Sequence, residues 1–513
     1  MLTRLKVSGF KNLADVDVRF GPFTCIAGAN GVGKSNLFDA IRFLSALADR
    51  PLMEAALSVR GDENGGRMAD VRSLFQRYGD QHTPEMSFEV EMIVPSEAED
   101  DLGKKAEATS TFLRYMLSLA YRESPSLRSL GSLEVLKEKL DYIKIGESKK
   151  HLLFTHKPAW RNSIVHSKRR GKSFISTEGE GANHIVVLHQ DGGSRGRPLW
   201  QVQKLNRTVL STANTSESPT ALLARREMQS WLLLQLEPSA LRKPDEFSEF
   251  FAPTKLGSNG SHLAGTLFRL AYKNNSKDTQ NMPYPKECAR IANRLAELID
   301  DVYRVSIDRD EKRELLTLNV MGRDKTPHAA RALSDGTLRF LALAVLEQDP
   351  EVKGVLCLEE PENGIHPARI PAMIKLLQDI ATDVNEKVDE ENPLRQVIVN
   401  THSPAVVLQV PQDTLLVAEP RECISSEGQH FNSVRLSCLP ETWRMNKKPE
   451  EQIDTCSLGA LLSYLNPVPH SEDSMEEKKT QASVSQLKKP PIHSNRVIDR
   501  PDVQDYFPWF KSQ

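Results

Sequence analysis

Six cysteines in 513 residues, with no C-x-x-C pair among them, exclude a disulfide framework and a thiolate zinc site. They are the usage of a reducing compartment. No apolar run, residues 231–234 among them, approaches the ~18–20 residues of a membrane span. The first seven residues alternate like a strand and lack the apolar core of a secretory signal. An excess of one charge is missing too: 67 Lys+Arg oppose 69 Asp+Glu, a net charge of −2. That balance excludes a wholly basic nucleic-acid binder but leaves room for a local basic face. Internal repeats and coiled-coil heptads are absent as well. What remains is the class of soluble, cytoplasmic α/β proteins with no membrane partner. Hydrophobic residues make up 39% of the chain, enough for sizeable cores in about two to four structural units.

Periodicity sets the expected order of elements. Leu5 and Val7, then Val16, Val18 and Phe20, alternate as strands, and residues 23–27 form a buried-type apolar run. Leu37, Ala40, Ile41 and Leu44 recur at helical spacing. Residues 50–85 read as irregular, and residues 86–94 and 112–121 as strands. Short strands are expected at 185–188 and 199–202, a helical stretch from 220 to 236, and helices at 263–272 and 287–299. Strands at 303–307 and 315–320 lead into a last third that alternates strand (355–358), helix (370–380) and strand (396–400, 415–418). That rhythm implies a parallel sheet. Residues 471–491 are rich in Ser, Glu, Lys and Pro and read as a flexible linker before an acidic-aromatic tail.

Chemistry concentrates in four places. Gly28, Ala29, Asn30, Gly31, Val32, Gly33, Lys34 and Ser35 satisfy G-x-x-x-x-G-K-S between an apolar strand and a helix. The backbone N–H groups of such a loop cradle di- and triphosphate oxygens; Lys34 would reach the β- and γ-phosphates, and the Ser35 hydroxyl would bind Mg²⁺. A dinucleotide fold is disfavoured, because the glycines do not fall as G-x-G-x-x-G. Residues 355–358 run into Glu359 and Glu360, where a phosphate-loop sheet places its acids. Glu359 would hold the metal's water shell and Glu360 would polarise the attacking water. Ser334 and Gly336 open an apolar helix whose N-terminus can hold a γ-phosphate. His402 follows a further apolar strand. Taken singly, the last three are common in structural roles; their order behind a phosphate loop is what distinguishes them.

The set resembles the ABC-type ATPases of the RecF/SMC/OLD-like group, defence-associated AAA-family ATPases of the Septu kind included. Gly9, Phe10, Lys11 and Asn12, Asn36 after the loop, Glu359 to Pro367, and Thr401 to Pro404 carry the resemblance, along with residues 231–242 and 258–263. It covers residues 1 to about 420. The resemblance implies an α/β fold: an ABC-type P-loop ATPase head with a mixed parallel sheet, plus an inserted α+β lobe or short arm. It implies ATP and Mg²⁺ as cofactors and a homodimer or higher homo-oligomer that sandwiches ATP. Lys34, Ser35, Glu360 and His402 would act in cis, Ser334 and Gly336 in trans. Glu359 stands where Asp is commoner, and Thr337 where transporters usually have Gln. Gln76 and Gln81 are the candidates for the glutamine that links sheet to metal in such enzymes.

Four segments are expected: an N-terminal ATPase lobe with the phosphate loop (1–130), an inserted basic and helical lobe (131–325), a C-terminal ATPase lobe with signature, Walker B acids and His switch (326–465), and the linker and tail (466–513). No D-x-D partner follows the acid at Glu419, so no intrinsic Toprim nuclease is expected. By family analogy the chain would be the sensor or motor of a complex in antiviral defence or DNA metabolism, with cleavage supplied by a separate effector such as an HNH nuclease. Residues 144–207 hold thirteen Lys/Arg against four Asp/Glu, with Lys168, Arg169, Arg170 and Lys172 at the centre. They are either a nucleic-acid contact or a solvated hairpin face. The rival functions are a RecF-like DNA-repair ATPase that binds DNA directly, a transporter's nucleotide-binding subunit, and a slow ATP-dependent assembly scaffold.

Overall fold

In the computed structural model, described for residues 1–59, 70–123, 131–168, 171, 173–179, 184–191, 199–214, 218–247, 255–272, 284–299, 301–425, 428–445, 454–465, 496–500 and 503, two large sheets are stacked. One has six strands in the spatial order Leu232–Leu234, Gly354–Glu359, Arg395–Thr401, Phe23–Ala27, Leu415–Ile424 and His430–Cys438. All of its pairings are parallel except the last. The other is an eight-stranded antiparallel sheet that begins with Leu2–Phe10 and Leu13–Arg19 and runs on through Glu85–Ile93, Phe112–Arg122 and Ser132–Tyr142.

Side-chain alternation explains why the parallel sheet is covered on both faces. Ile26, Val355, Cys357 and Ile398 join the core shared with the antiparallel sheet. Cys25, Ala27, Leu356, Leu358, Val397 and Val399 point the other way. Their cover is a helical layer that includes Asp335–Gln348, Ile370–Ile380 and Lys286–Leu298. Between the two sheets lies helix Lys34–Leu47, whose Phe43 packs against Phe10 and Phe88 with ring centroids 5.9 Å apart in each pair. A buried amide ties the sheets together. Gln396 Nε2 donates to the carbonyls of Leu2 and Gly21, each at 2.8 Å, and its Oε1 accepts from the Leu2 N–H.

The α/β head with its mixed sheet is as expected, but two local readings are corrected. The helix expected over 220–236 ends at Gln229, and Leu232–Leu234 forms a strand parallel to Leu356–Leu358. A short leucine run fits either period, and the neighbouring strand decides it. Within the segment read as irregular, Leu52–Leu57 is a helix. Residues 112–122 and 132–142 pair as one long hairpin across the boundary expected at 130/131. The start of the expected inserted lobe therefore continues the N-terminal sheet. The linker and nearly all of the aromatic tail lie outside the described residues.

One arginine fixes the base of the signature helix. Arg395 is 4% exposed and gives its guanidinium to the carbonyls of Val352, Leu346, Glu347 and Asp349, closing the C-terminal end of Asp335–Gln348. A cation there satisfies orphan carbonyls and complements the helix dipole. Arg395→Met should therefore cost about 3 kcal/mol of unfolding free energy, read by urea denaturation. A loss below about 0.5 kcal/mol would mean that the cap is dispensable.

Candidate functional site

The carboxyl ends of the parallel strands converge on one cavity of about 550 Å³. Its walls include Asn30, Gly31, Gly33, Lys34, Ser35, Asn36, Glu359 and Glu360. Strand Phe23–Ala27 delivers the loop, and Gly28 is required where it turns. A Cβ there would lie 2.6 Å from the Ala418 carbonyl oxygen. Gly33 has φ +114°, left-handed backbone that favours glycine, and starts helix Lys34–Leu47 with no side chain capping its N-terminus. A helix N-terminus that no side chain caps, with the helix dipole, can hold an anion. Lys34 Nζ donates to the carbonyls of Gly28 (2.7 Å) and Ala29 (2.8 Å). Burial lowers its proton affinity, opposed by the charges of Glu360, Glu362 and Glu359.

The Gly9–Asn12 turn braces this loop, which gives its sequence a physical reason. Asn12 Nδ2 donates to the Val32 carbonyl at 2.8 Å, and its Oδ1 accepts from Asn36 Nδ2 at 2.7 Å. Lys11 Nζ pairs with Asp39 on the following helix at 2.6 Å. Val32 and Asn36 are thus held by a turn of the other sheet.

Across the cavity, Glu359 ends its strand with its carboxylate 3.4 Å from Asn400 Nδ2. Glu360 has φ +44°, sparsely populated for a side chain larger than glycine. Its N–H is held by the Asn400 carbonyl (3.1 Å) and side-chain oxygen (3.2 Å). The Glu360 carboxylate accepts from Asn363 Nδ2 at 2.9 Å and lies 2.6 Å from His402 Nδ1. Burial pushes its pKa up, but those two hydrogen bonds, with the charges of His402 and Lys34, leave it below its usual value. A strained, oriented and ionised carboxylate is suited to polarising a water.

The phosphate loop, Glu359 and Glu360 meet at this cavity, and His402 reaches it through the Glu360 carboxylate. Ser334 and Gly336 do not line this cavity. Ser334 caps its own helix, accepting from the Thr337 N–H at 3.2 Å, and Gly336 packs against the Gly364 carbonyl. Neither Gln76 nor Gln81 is at the cavity. Gln76 is buried beside the Gly9 turn, Gln81 is exposed on a two-residue strand, and Gln235 lines the wall instead. Gln235 follows the strand misread as helix, which is why sequence reasoning missed it. Arg339 was missed as well; only its nearness to the signature could have drawn attention to it. Of the basic cluster, Lys168 pairs with Glu107 at 2.9 Å, and Arg169, Arg170 and Lys172 lie outside the described residues.

Beneath Glu360, Glu362 is 7% exposed. One oxygen accepts from the Thr401 hydroxyl, and the other has no partner among the described residues. Burial pushes its carboxyl above 4.5, against the Thr401 hydrogen bond. An acid with a raised folded-state pKa binds its proton more tightly when folded. Its contribution is therefore lost as pH rises from the unfolded value through the folded one. Glu362→Gln keeps the acceptor and removes that loss. In metal-free protein its Tm should match wild type at about pH 4 and exceed it at about pH 8. A Tm difference that does not change with pH would mean that Glu362 is ionised throughout.

Comparison with known proteins adds a family. The model described as "AAA domain, putative AbiEii toxin, Type IV TA system" matches residues 23–158 and 215–408, well over half of the chain. DNA replication and repair protein RecF of Porphyromonas gingivalis is 35% identical over 77 residues, 15% of this chain and 20% of that protein. RecF of Paenarthrobacter aurescens is 35% identical over 83 residues, 16% and 20% of the two chains. The chain thus spans about a fifth of the length of these curated relatives. A crystal structure of an SMC head bound to the C-terminal winged-helix domain of ScpA aligns over 85% of this chain and 98% of that one, at 14% identity and a TM-score of 0.43.

Proposed function

We propose that this chain, a member of that AAA-domain family, is an ABC-type ATPase of the RecF- and SMC-like kind that binds Mg·ATP in the cavity at Lys34, hydrolyses it and dimerises around it. The observation that carries the reading is one cavity wall that holds an uncapped phosphate loop facing Glu359 and Glu360. The Ser35 hydroxyl and the Glu359 carboxylate are hard oxygen donors lining that cavity, a donor set that fits Mg²⁺, which takes few protein ligands. The metal would supply charge neutralisation between the phosphates. Glu360, aimed by His402 and Asn363, would take a proton from the attacking water. Gln235 would bridge the wall to the metal's water shell.

Ser334 and Gly336 stand off their own cavity, which supports their use by a second copy. The signature helix would cap the partner's γ-phosphate, and a monomer would leave its own phosphate half-coordinated. The cellular role we infer is that of sensor or motor in antiviral defence, with cleavage left to a separate effector such as an HNH-type nuclease. The toxin–antitoxin wording of the family description supports it. A DNA-repair role with direct DNA contact through residues 144–207 is the second reading, favoured by the local identity to RecF.

Lys34→Ala should abolish tight ATP binding, because the loop loses its side-chain cation. Unchanged affinity by equilibrium titration would move the site elsewhere. Lys34→Ala protein mixed with Ser334→Arg protein should regain part of the activity that each lacks, rising with concentration. One composite site of each mixed dimer would be intact. A mixture as inactive as its parents, beside wild type that turns over as a monomer, would rule out action in trans.

A further inference from the structure

Arg339 stands on the signature helix but lines the chain's own cavity, beside Lys34, Ser35, Glu359 and Glu360. Its Nη1 donates to the Glu360 carbonyl at 3.3 Å, and its Nε is buried with no hydrogen-bond partner among the described residues. The acids around it are already engaged. Asp335 is paired with Arg242, the Glu360 carboxylate is bonded to Asn363 and His402, and Glu362 is bonded to Thr401. Among the described residues Arg339 forms no ion pair.

A half-buried guanidinium with no carboxylate in direct contact is costly; the charges of Asp335, Glu362 and Glu360 offset its burial only in part, and an anion would complete it. Arginine's planar fork of donors matches phosphate oxygens better than a lysine ammonium does. The position also selects which phosphate. Arg339 touches Glu360, so it approaches from the carboxylate wall, opposite the loop that holds the other phosphates.

We propose that Arg339 binds the γ-phosphate of the chain's own nucleotide and so distinguishes a triphosphate from a diphosphate. Ser334 and Arg339 are five residues apart, about 7.5 Å along the helix and about 140° around it. One helix therefore offers its N-terminus to a second copy and a cation to its own site. A nucleotide drawn onto Arg339 positions Ser334 for the partner. The proposal rests on the nucleotide reading above and adds to it a residue and a specificity.

The test is competition binding of ATP and ADP with Mg²⁺ to full-length protein carrying Glu360→Gln to block turnover, with and without Arg339→Gln or Arg339→Lys. Arg339→Gln should weaken ATP by at least ~10-fold and ADP by less than ~3-fold, with Arg339→Lys between it and the parent. Apoprotein Tm should change little, which a merely structural arginine would not allow. Equal weakening of both nucleotides, or an unchanged ATP-to-ADP ratio, overturns the proposal. If Arg339→Gln does not fold, Arg339→Lys decides, and an unchanged ratio there is equally fatal. A parent protein that binds no ATP removes the nucleotide reading itself and this proposal with it. A parent that binds while the variants keep its ratio removes Arg339 alone.

Discussion

The register between strands Gly354–Glu359 and Arg395–Thr401 is the constraint on which the site depends. Glu359 lies opposite Asn400, and Thr401 lies opposite Ala27 on the next strand. Three segments remote in sequence therefore end level with one another, and the phosphate loop, both acids and His402 emerge at one edge. A slip of one residue would turn each side chain to the opposite face. Asn400 reinforces the register by holding the Glu360 N–H with both its carbonyl and its side chain, which keeps Glu360 in its unusual backbone conformation.

On that frame the site becomes an arrangement of charges. Lys34, Arg339, Glu359 and Glu360 line a small cavity, and burial shifts Lys34, Arg339 and the nearby Glu362 toward their neutral forms. Glu360 runs against that trend because Asn363 and His402 bond its charged form. Two carboxylates two residues apart thus have opposite tendencies, set by their partners rather than by residue type. The charged one faces the cavity and the other lies beneath it.

Much of this was legible in the sequence because it follows short-range rules. The phosphate loop has a fixed spacing. The strands of the parallel sheet read as apolar runs ending in polar residues, and helix Lys34–Leu47 has clear periodicity. What was missed depends on tertiary pairing. Leu232–Leu234 is a strand only because Leu356–Leu358 lies beside it, and Gln235 reaches the site only through that strand. Ser132–Tyr142 pairs with Phe112–Arg122 across the expected lobe boundary, and no local signal marks that hairpin. Arg339 sits on a helix that reads as apolar, and its place at the cavity, beside the Glu360 carbonyl, is visible only in the fold.

The central claim is that Glu360 acts on a water beside a nucleotide held by the Lys34 loop. Single-turnover phosphate release from Mg·ATP, with wild-type and Glu360→Gln protein each saturated with nucleotide, tests it most directly. The account predicts equal ATP occupancy and release at least ~100-fold slower in the variant, since binding survives while proton transfer is lost. Release at the wild-type rate from a fully occupied Glu360→Gln protein would contradict it.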